Sequence, residues 1–333
     1  MSGERSKTTA LIHHPYVAPA GFGAVPPGGP KASTVIFPNV AAMRARDWKH
    51  KTGYTYGLHG TPTTFTLEER IATLEGGLQC VLAPSGLAAI ALVDLALLKA
   101  GDEVLIPDNA YGPGKELARN ELAGWGITHR FYDAMDVQSL ADAISPKTKL
   151  VWLEAAGSVT MEFPDLIALV RIARSRGVLT ALDNTWGAGI AFDPFALGET
   201  GEAVDISVQA LTKYPSGGAD VLMGSVTTRD EALHLKLKLA HMRLGVGIGA
   251  NDAELLLRSL PTLALRYAAQ DAAARELAQW WSTRPEVVQV LHPALPSAPG
   301  HTHWKQLCTQ AAGLFSVVFD ERFNVAQVDA FVD

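Results

Sequence analysis

Lys213 ends an apolar, β-prone run, Ile206-Ser207-Val208-Gln209-Ala210-Leu211, directly after Thr212 and ahead of a Gly217-Gly218 turn. Held among apolar neighbours, an ammonium loses solvation and its pKa falls, so a neutral nucleophilic amine is reached near neutral pH. A lysine that forms a Schiff base with a carbonyl needs that state. The second chemical candidate is Asp183, which follows the buried-strand pattern Val178-Leu179-Thr180-Ala181-Leu182 and precedes Asn184-Thr185-Trp186. A carboxylate at the C-terminal end of an α/β strand lies where such sheets bind ligands, and it can keep a ring nitrogen protonated so that the ring becomes an electron sink. In isolation Lys213 reads equally as a surface lysine, and Asp183 as a turn-former or helix cap. One helix-plus-strand unit separates the two, and as a pair the chemical reading is the better one.

The surrounding pattern supplies a frame for that pair. Cys80–Ala83, Glu103–Pro107, Phe131-Tyr132 and Leu150–Glu154 read as strands. They alternate with helical stretches from Thr66 to Glu75, with Thr66 and Glu69 in capping-box register, from Ser85 to Leu98, and from Leu166 to Arg176 ended by Gly177. Such alternation predicts a mostly parallel sheet covered by helices on both faces. Ser85-Gly86-Leu87 opens a helix after a small-residue turn, where free backbone N–H groups and the positive end of the dipole suit a phosphate; by itself it reads as an ordinary cap. Tyr111 stands in a Gly-Pro turn after the 103–107 strand and alone reads as packing. No Gly-x-Gly-x-x-Gly opens a βαβ unit, so a dinucleotide fold has no support. Beyond Met223–Val226 the chain turns helical, with one long element expected over 250–267. Two more strands are expected at Val287–Val290 and Leu314–Phe319.

Taken in order, Tyr56-Gly57-Leu58-His59-Gly60-Thr61-Pro62-Thr63, Leu74-Glu75-Gly76-Gly77, Pro84-Ser85-Gly86-Leu87-Ala88-Ala89, Asn109-Ala110-Tyr111-Gly112-Pro113, Leu182-Asp183-Asn184-Thr185-Trp186 and Thr212-Lys213-Tyr214 resemble the Cys/Met-metabolism family of pyridoxal phosphate enzymes, from about Ser33 to the last residue. The resemblance implies an α/β, fold type I transferase-like architecture with a smaller α+β C-terminal domain, and pyridoxal 5'-phosphate joined to Lys213. Asp183 is then the partner of the pyridine nitrogen. The amides of Gly86 and Leu87 take the phosphate, Ser85 and Thr212 belong to the same cofactor site, Tyr111 stacks on the ring near the substrate, and Ser158 lies near the 3′ oxygen. Tyr56 reaches across a dimer interface to a neighbouring phosphate. An arginine is expected two residues after that tyrosine, and here the position is Leu58, which neither donates a hydrogen bond nor neutralises a dianion; either His59 or another cation substitutes, or the phosphate is held more weakly. The implied activity is carbon–sulfur cleavage by β-elimination of L-cystathionine to homocysteine, pyruvate and ammonia, in methionine biosynthesis. The alternatives are γ-synthase, γ-lyase or sulfhydrylase chemistry of the same family, or a non-catalytic remnant. A homo-oligomer is expected, a dimer of catalytic units assembling into a tetramer.

The domain reading is an arm over 1–60 contributing to the neighbouring subunit, a large cofactor domain over 61–249 and an incomplete C-terminal domain over 250–333. The arm rests on Pro15, Pro19, Gly21, Gly23, Pro26, Pro27, Gly28, Gly29 and Pro30, too many breakers for a regular element. At the other end Val328–Asp333 has helical periodicity and no stop signal. The resemblance implies several dozen further residues carrying an arginine for the substrate carboxylate, so a truncated chain is expected.

Length and composition bound these readings. The 333 residues, 48% hydrophobic, suffice for one large or two ordinary domains. Net charge is −6 and the cations are scattered, which excludes the basic stripe of a nucleic-acid or anionic-membrane binder. Cys80 and Cys308 lie far apart in apolar contexts and read as reduced thiols, neither disulfide nor metal ligand. No stretch approaches the roughly 20 uninterrupted apolar residues of a spanning helix, and a cytoplasmic enzyme acting on a small amino acid is the natural class.

Overall fold

The computed structural model describes residues 6–13, 20–21 and 29–333; of the arm's breakers, Pro15, Pro19, Gly23, Pro26, Pro27 and Gly28 lie outside them. Seven strands, β1 Gln79–Ala83, β2 Glu103–Pro107, β3 Thr128–Tyr132, β4 Thr148–Glu154, β5 Leu179–Asp183, β6 Ile206–Ala210 and β7 Gly224–Thr228, form one sheet in the order β1-β7-β6-β5-β4-β2-β3. Only β7 runs against the rest, pairing antiparallel with both β1 and β6. Apart from the edge strand β3, the parallel strands are short and largely buried because both faces of the sheet are covered. Leu105, Val151, Leu153 and Leu182 point into one core, whereas Val104, Ile106, Leu150, Trp152, Ala181 and Val208 point into the other. The expected architecture is the observed one.

Helix starts differ where local chemistry outweighs apolar spacing. The first long helix is Pro62–Glu75, four residues earlier than the Thr66–Glu69 register suggests. Thr61 caps it, its hydroxyl taking the Thr64 N–H while the Thr64 hydroxyl takes that of Thr61, and Pro62 occupies the first turn, where a missing N–H costs nothing. Thr66 instead donates its hydroxyl to the Pro62 carbonyl at 2.8 Å. Helix Gly86–Leu97 begins as expected, with Ser85 Oγ accepting the Ala88 N–H. The single element expected over 250–267 is broken: Ala250–Ser259 and Leu263–Trp281 flank a 3₁₀ turn, Leu260–Thr262, because Pro261 removes a backbone donor and crowds the preceding turn. A second sheet pairs β8 Val287–Leu291 antiparallel with β9 Ser316–Phe319, and helix Val325–Val332 follows, capped by Asn324.

The N-terminal stretch also departs from expectation. Lys7–Ile12 is helical under a Ser6 cap, and Leu11 is buried among Leu67, Ile71 and Leu260. Lys7 Nζ donates to the Gly189 carbonyl at 2.7 Å. Six residues without Pro or Gly, one of them a leucine that can enter the core, suffice for this docking on the chain's own body.

Candidate active site

Three adjacent strands, β4, β5 and β6, end side by side, and their C-terminal residues make the site. Glu154 and Asp183 are register partners on β4 and β5, and Asp183 pairs in turn with Val208 on β6. Asp183 Oδ1 accepts the Thr185 N–H at 2.9 Å, and Thr185 Oγ1 accepts the Ala210 N–H at 2.8 Å, so the turn after β5 is fastened to the end of β6. Tyr267, wholly buried on helix Leu263–Trp281, holds the same turn by donating its hydroxyl to the Trp186 carbonyl at 2.9 Å.

Lys213 lies in the turn beyond β6, not on the strand. Its N–H reaches the Ala210 carbonyl at 3.0 Å and Ser216 N–H reaches that of Leu211, which lifts the lysine off the sheet edge. The side chain is exposed, so the expectation of an unsolvated lysine among apolar neighbours is corrected. The apolar run stops at Leu211, and residues 217–220 that follow are themselves exposed. Its charge is nonetheless felt at Asp183. Loss of water raises the Asp183 pKa, while the Thr185 bonds and then the Lys213 cation pull it back.

The residue that sequence reasoning passed over is Glu154. It carries the signal that singled out Asp183, a carboxylate closing an apolar strand, yet was read only as the end of a run. Its Oε2 accepts the Tyr111 N–H at 2.8 Å and its Oε1 accepts the Ser158 hydroxyl at 2.6 Å. Burial, and then the Asp183 charge, push its pKa up to about 8 against those two bonds. Tyr111, Glu154 and Asp183 line one cavity of about 20 Å³ with Trp152 and Asp94, and the Asp94 carboxyl accepts the Trp152 indole N–H at 2.9 Å.

Other expected residues fall around this centre. Gly86 sits so close to β6 that a Cβ there would lie 2.6 Å from Ala210 Cβ, and one on Gly224 would lie 2.4 Å from the Ser85 carbonyl oxygen. Only glycine lets the helix mouth, with the Gly86 and Leu87 amides, press against the strand ends. Thr212 Oγ1 accepts the Met223 N–H at 3.1 Å and donates to its carbonyl at 3.3 Å, stitching the Lys213 turn to the approach to β7. Tyr56 is not part of the group: it is 46% exposed and lies edge-on to His59 at 5.6 Å, with no contact to Asp183 or Lys213 among the described residues. Leu58 lines a separate cavity with Lys51, His59, Lys238 and His241. Burial and the Lys238 charge hold His59 below its ordinary pKa, which disfavours it as the substituting cation.

Residues 8–333 match the sequence profile of the Cys/Met metabolism PLP-dependent enzymes. The chain belongs to this family. A cystathionine beta-lyase of Bordetella avium is 40% identical over 314 residues, 92% of this chain and 78% of that protein. One from Escherichia coli K12 is 34% identical over 94% of this chain and 78% of its own length. The crystal structure of a cystathionine gamma synthase from Xanthomonas oryzae pv. oryzae superposes with a TM-score of 0.90 at 31% identity, covering 99% of this chain and 82% of that one. The family cofactor, pyridoxal phosphate, fits the residues present. A desolvated carboxylate offers a partner for a ring nitrogen, a lysine lies within its field, and the close approach at Gly86 and Gly224 leaves helix amides facing the same edge. Among the described residues no helix is long and apolar enough to cross a membrane.

Proposed function

We propose that this chain is a carbon–sulfur lyase that splits L-cystathionine by β-elimination. The observation that carries the reading is buried Asp183 at the sheet edge with the Lys213 charge in reach of it, and Tyr111 tied to the neighbouring Glu154; the named β-lyase relatives support the choice of substrate. In this reading Lys213 Nζ holds the cofactor covalently and Asp183 keeps its ring nitrogen protonated. Ser85, the Gly86 and Leu87 amides and Thr212 take the phosphate, Tyr111 packs on the ring, and Ser158 sits by the 3′ oxygen. Pyridoxal phosphate, when bound, supplies the electron sink for the pair left at the substrate Cα. Lys213 Nζ, once released, is a neutral amine that takes the Cα proton. The Cβ–S bond then breaks with its electron pair on the homocysteine sulfur, which takes up a proton, and the three-carbon remainder adds water and leaves as pyruvate and ammonia. One Cα deprotonation suffices, whereas loss from Cγ needs a second base at Cβ.

The arm over 1–60, the large domain over 61–249 and the smaller one over 250–333 are the working division. Tyr56, remote from Asp183, serves a neighbouring copy in a dimer of catalytic units that assembles to a tetramer, in the cytoplasm. A γ-replacement reading is favoured only by the likeness to the Xanthomonas synthase. The purified protein with pyridoxal phosphate and L-cystathionine is expected to release homocysteine and pyruvate. Cysteine and 2-oxobutyrate as main products would move it to the γ branch, and turnover surviving in Lys213→Ala would overturn the mechanism.

A further inference from the structure

We propose that Arg266 is a positioning residue for Lys213: its guanidinium clamps the turn that follows the lysine and so fixes where Lys213 Nζ stands relative to Asp183. The inference rests on Lys213 being the residue that holds the cofactor, and adds to that reading the group that holds the lysine in place.

Lys213 opens a turn with little support of its own. Ser216 donates its hydroxyl to the Thr212 carbonyl at 2.8 Å and its N–H to that of Leu211 at 3.0 Å, while residues 217–220 are exposed. The Lys213 side chain makes no hydrogen bond among the described residues, so Nζ goes where the backbone of the turn sends it.

Arg266 fastens that backbone. It is half-buried in the first turn of helix Leu263–Trp281. Its Nη1 donates to the Tyr214 carbonyl at 2.6 Å, and its Nη2 to the Pro215 carbonyl at 3.4 Å. Nη2 also reaches Ser259 Oγ at 2.9 Å and the Ser259 carbonyl at 3.3 Å, and Nε reaches Thr262 Oγ1 at 3.1 Å. Every nitrogen of the group is engaged by a neutral oxygen. Ser259 ends helix Ala250–Ser259, where carbonyls lack partners within the helix and a cation is favoured. A planar fork can tie that helix end to the Lys213 turn, which a single ammonium cannot do.

Gly217 is the second observation. Its φ is +71°, and a Cβ there would lie 2.7 Å from Arg266 Cζ and 3.0 Å from Ser259 Oγ. The turn is shaped around the guanidinium, and glycine alone leaves room for it. The next residue on the helix points about 100° further round. It is Tyr267, whose hydroxyl donates to the Trp186 carbonyl in the turn after Asp183 and whose ring meets that of Tyr214 edge-on at 4.9 Å. Consecutive residues of one helix therefore hold the lysine turn and the aspartate turn, and that helix sets the relation between the two groups.

In the test, the cofactor-free full chain is mixed with pyridoxal phosphate and quenched with borohydride at intervals, and the labelled fraction of Lys213 is read by peptide mass spectrometry. The wild type is expected to label at Lys213. Arg266→Gln stays polar and loses the fork; it should label roughly 10-fold to 100-fold more slowly, the scale of a misplacement of about 1 Å. In steady state its kcat should fall by a similar factor with KM little changed. Gly217→Ala should act in the same direction, and the double variant should be no slower than the slower single one, because both changes break one contact. Labelling at the wild-type rate, additive slowing in the double variant, or a raised KM at unchanged kcat would each overturn the clamp. A wild type labelled at another lysine would overturn the cofactor assignment itself, and the clamp with it. Should Arg266→Gln fail to fold, Gly217→Ala in its exposed turn decides, with slowed labelling expected and an unchanged rate overturning the proposal.

Discussion

Asp94 is a buried carboxyl with one partner, and its protonation should be readable as stability. It lies inside helix Gly86–Leu97, is 3% exposed, and among the described residues has only the Trp152 indole N–H at 2.9 Å to support a charge. Burial therefore raises its pKa to about 7 from an ordinary 3.8, with the indole bond opposing. Because the folded pKa is the higher one, Asp94 favours the folded state most below pH 3.8, and this contribution is lost as pH rises through 7. Between about pH 5 and about pH 8 it is only over the first two units that the folded carboxyl holds a proton the unfolded one has already lost. At about 1.4 kcal/mol per unit, the wild type loses roughly 3 kcal/mol over that range through this group. Asp94→Asn removes the titration and keeps an acceptor for the indole. Its own amide mismatch is the same at both pH values, and Glu154 and Asp183 titrate in both proteins, so these terms cancel in the comparison. Urea unfolding of the two proteins at both pH values is the assay. Asp94→Asn is expected to gain roughly 3 kcal/mol on the wild type in going from the lower pH to the higher. A wild type and a variant whose stabilities run parallel with pH would refute a protonated Asp94.

Three further outcomes follow from the site. Gly86→Ala places a Cβ 2.6 Å from that of Ala210, so the helix mouth must back away from β6. About 1–3 kcal/mol of stability and much of the cofactor affinity should go with it, read by thermal melting and by equilibrium dialysis of pyridoxal phosphate; unchanged dialysis would separate the helix mouth from the phosphate. Tyr267→Phe strips the hydroxyl from the Trp186 carbonyl and should cost about 1–3 kcal/mol in urea unfolding, with no loss meaning that water replaces it. In Glu154→Gln the carboxyl that burial and the Asp183 charge push up to about 8 no longer titrates, so an alkaline limb of the kcat/KM profile that follows its ionisation should move to higher pH. An unmoved limb would show that Glu154 only positions Tyr111 and Ser158.

Much of the site was legible because its residues sit at element ends. Asp183 and Lys213 follow apolar runs, Ser85-Gly86 opens a helix, and these positions depend on local pattern more than on packing. Glu154 was equally visible and was missed because its meaning lies across the sheet. Being the register partner of Asp183 and the acceptor for Tyr111 and Ser158 are facts about β4 beside β5, not about either strand. Asp94 was hidden in the same way, since an acid in a long apolar helix gives no hint of the indole it meets 58 residues on.

By itself, the sequence determined the alternation of strand and helix, the mostly parallel sheet, the ordered motifs of the family and the identity of the residues at its C-terminal edge. These follow from side-chain period and turn chemistry, which act over a few residues. Tertiary structure decided the strand order with its one reversed member, the break at Pro261, the docking of Lys7–Ile12 on its own body and the exposure of Lys213. Burial and pairing are properties of surfaces brought together from distant parts of the chain, and the free energy of a charge depends on those surfaces and not on its neighbours in sequence.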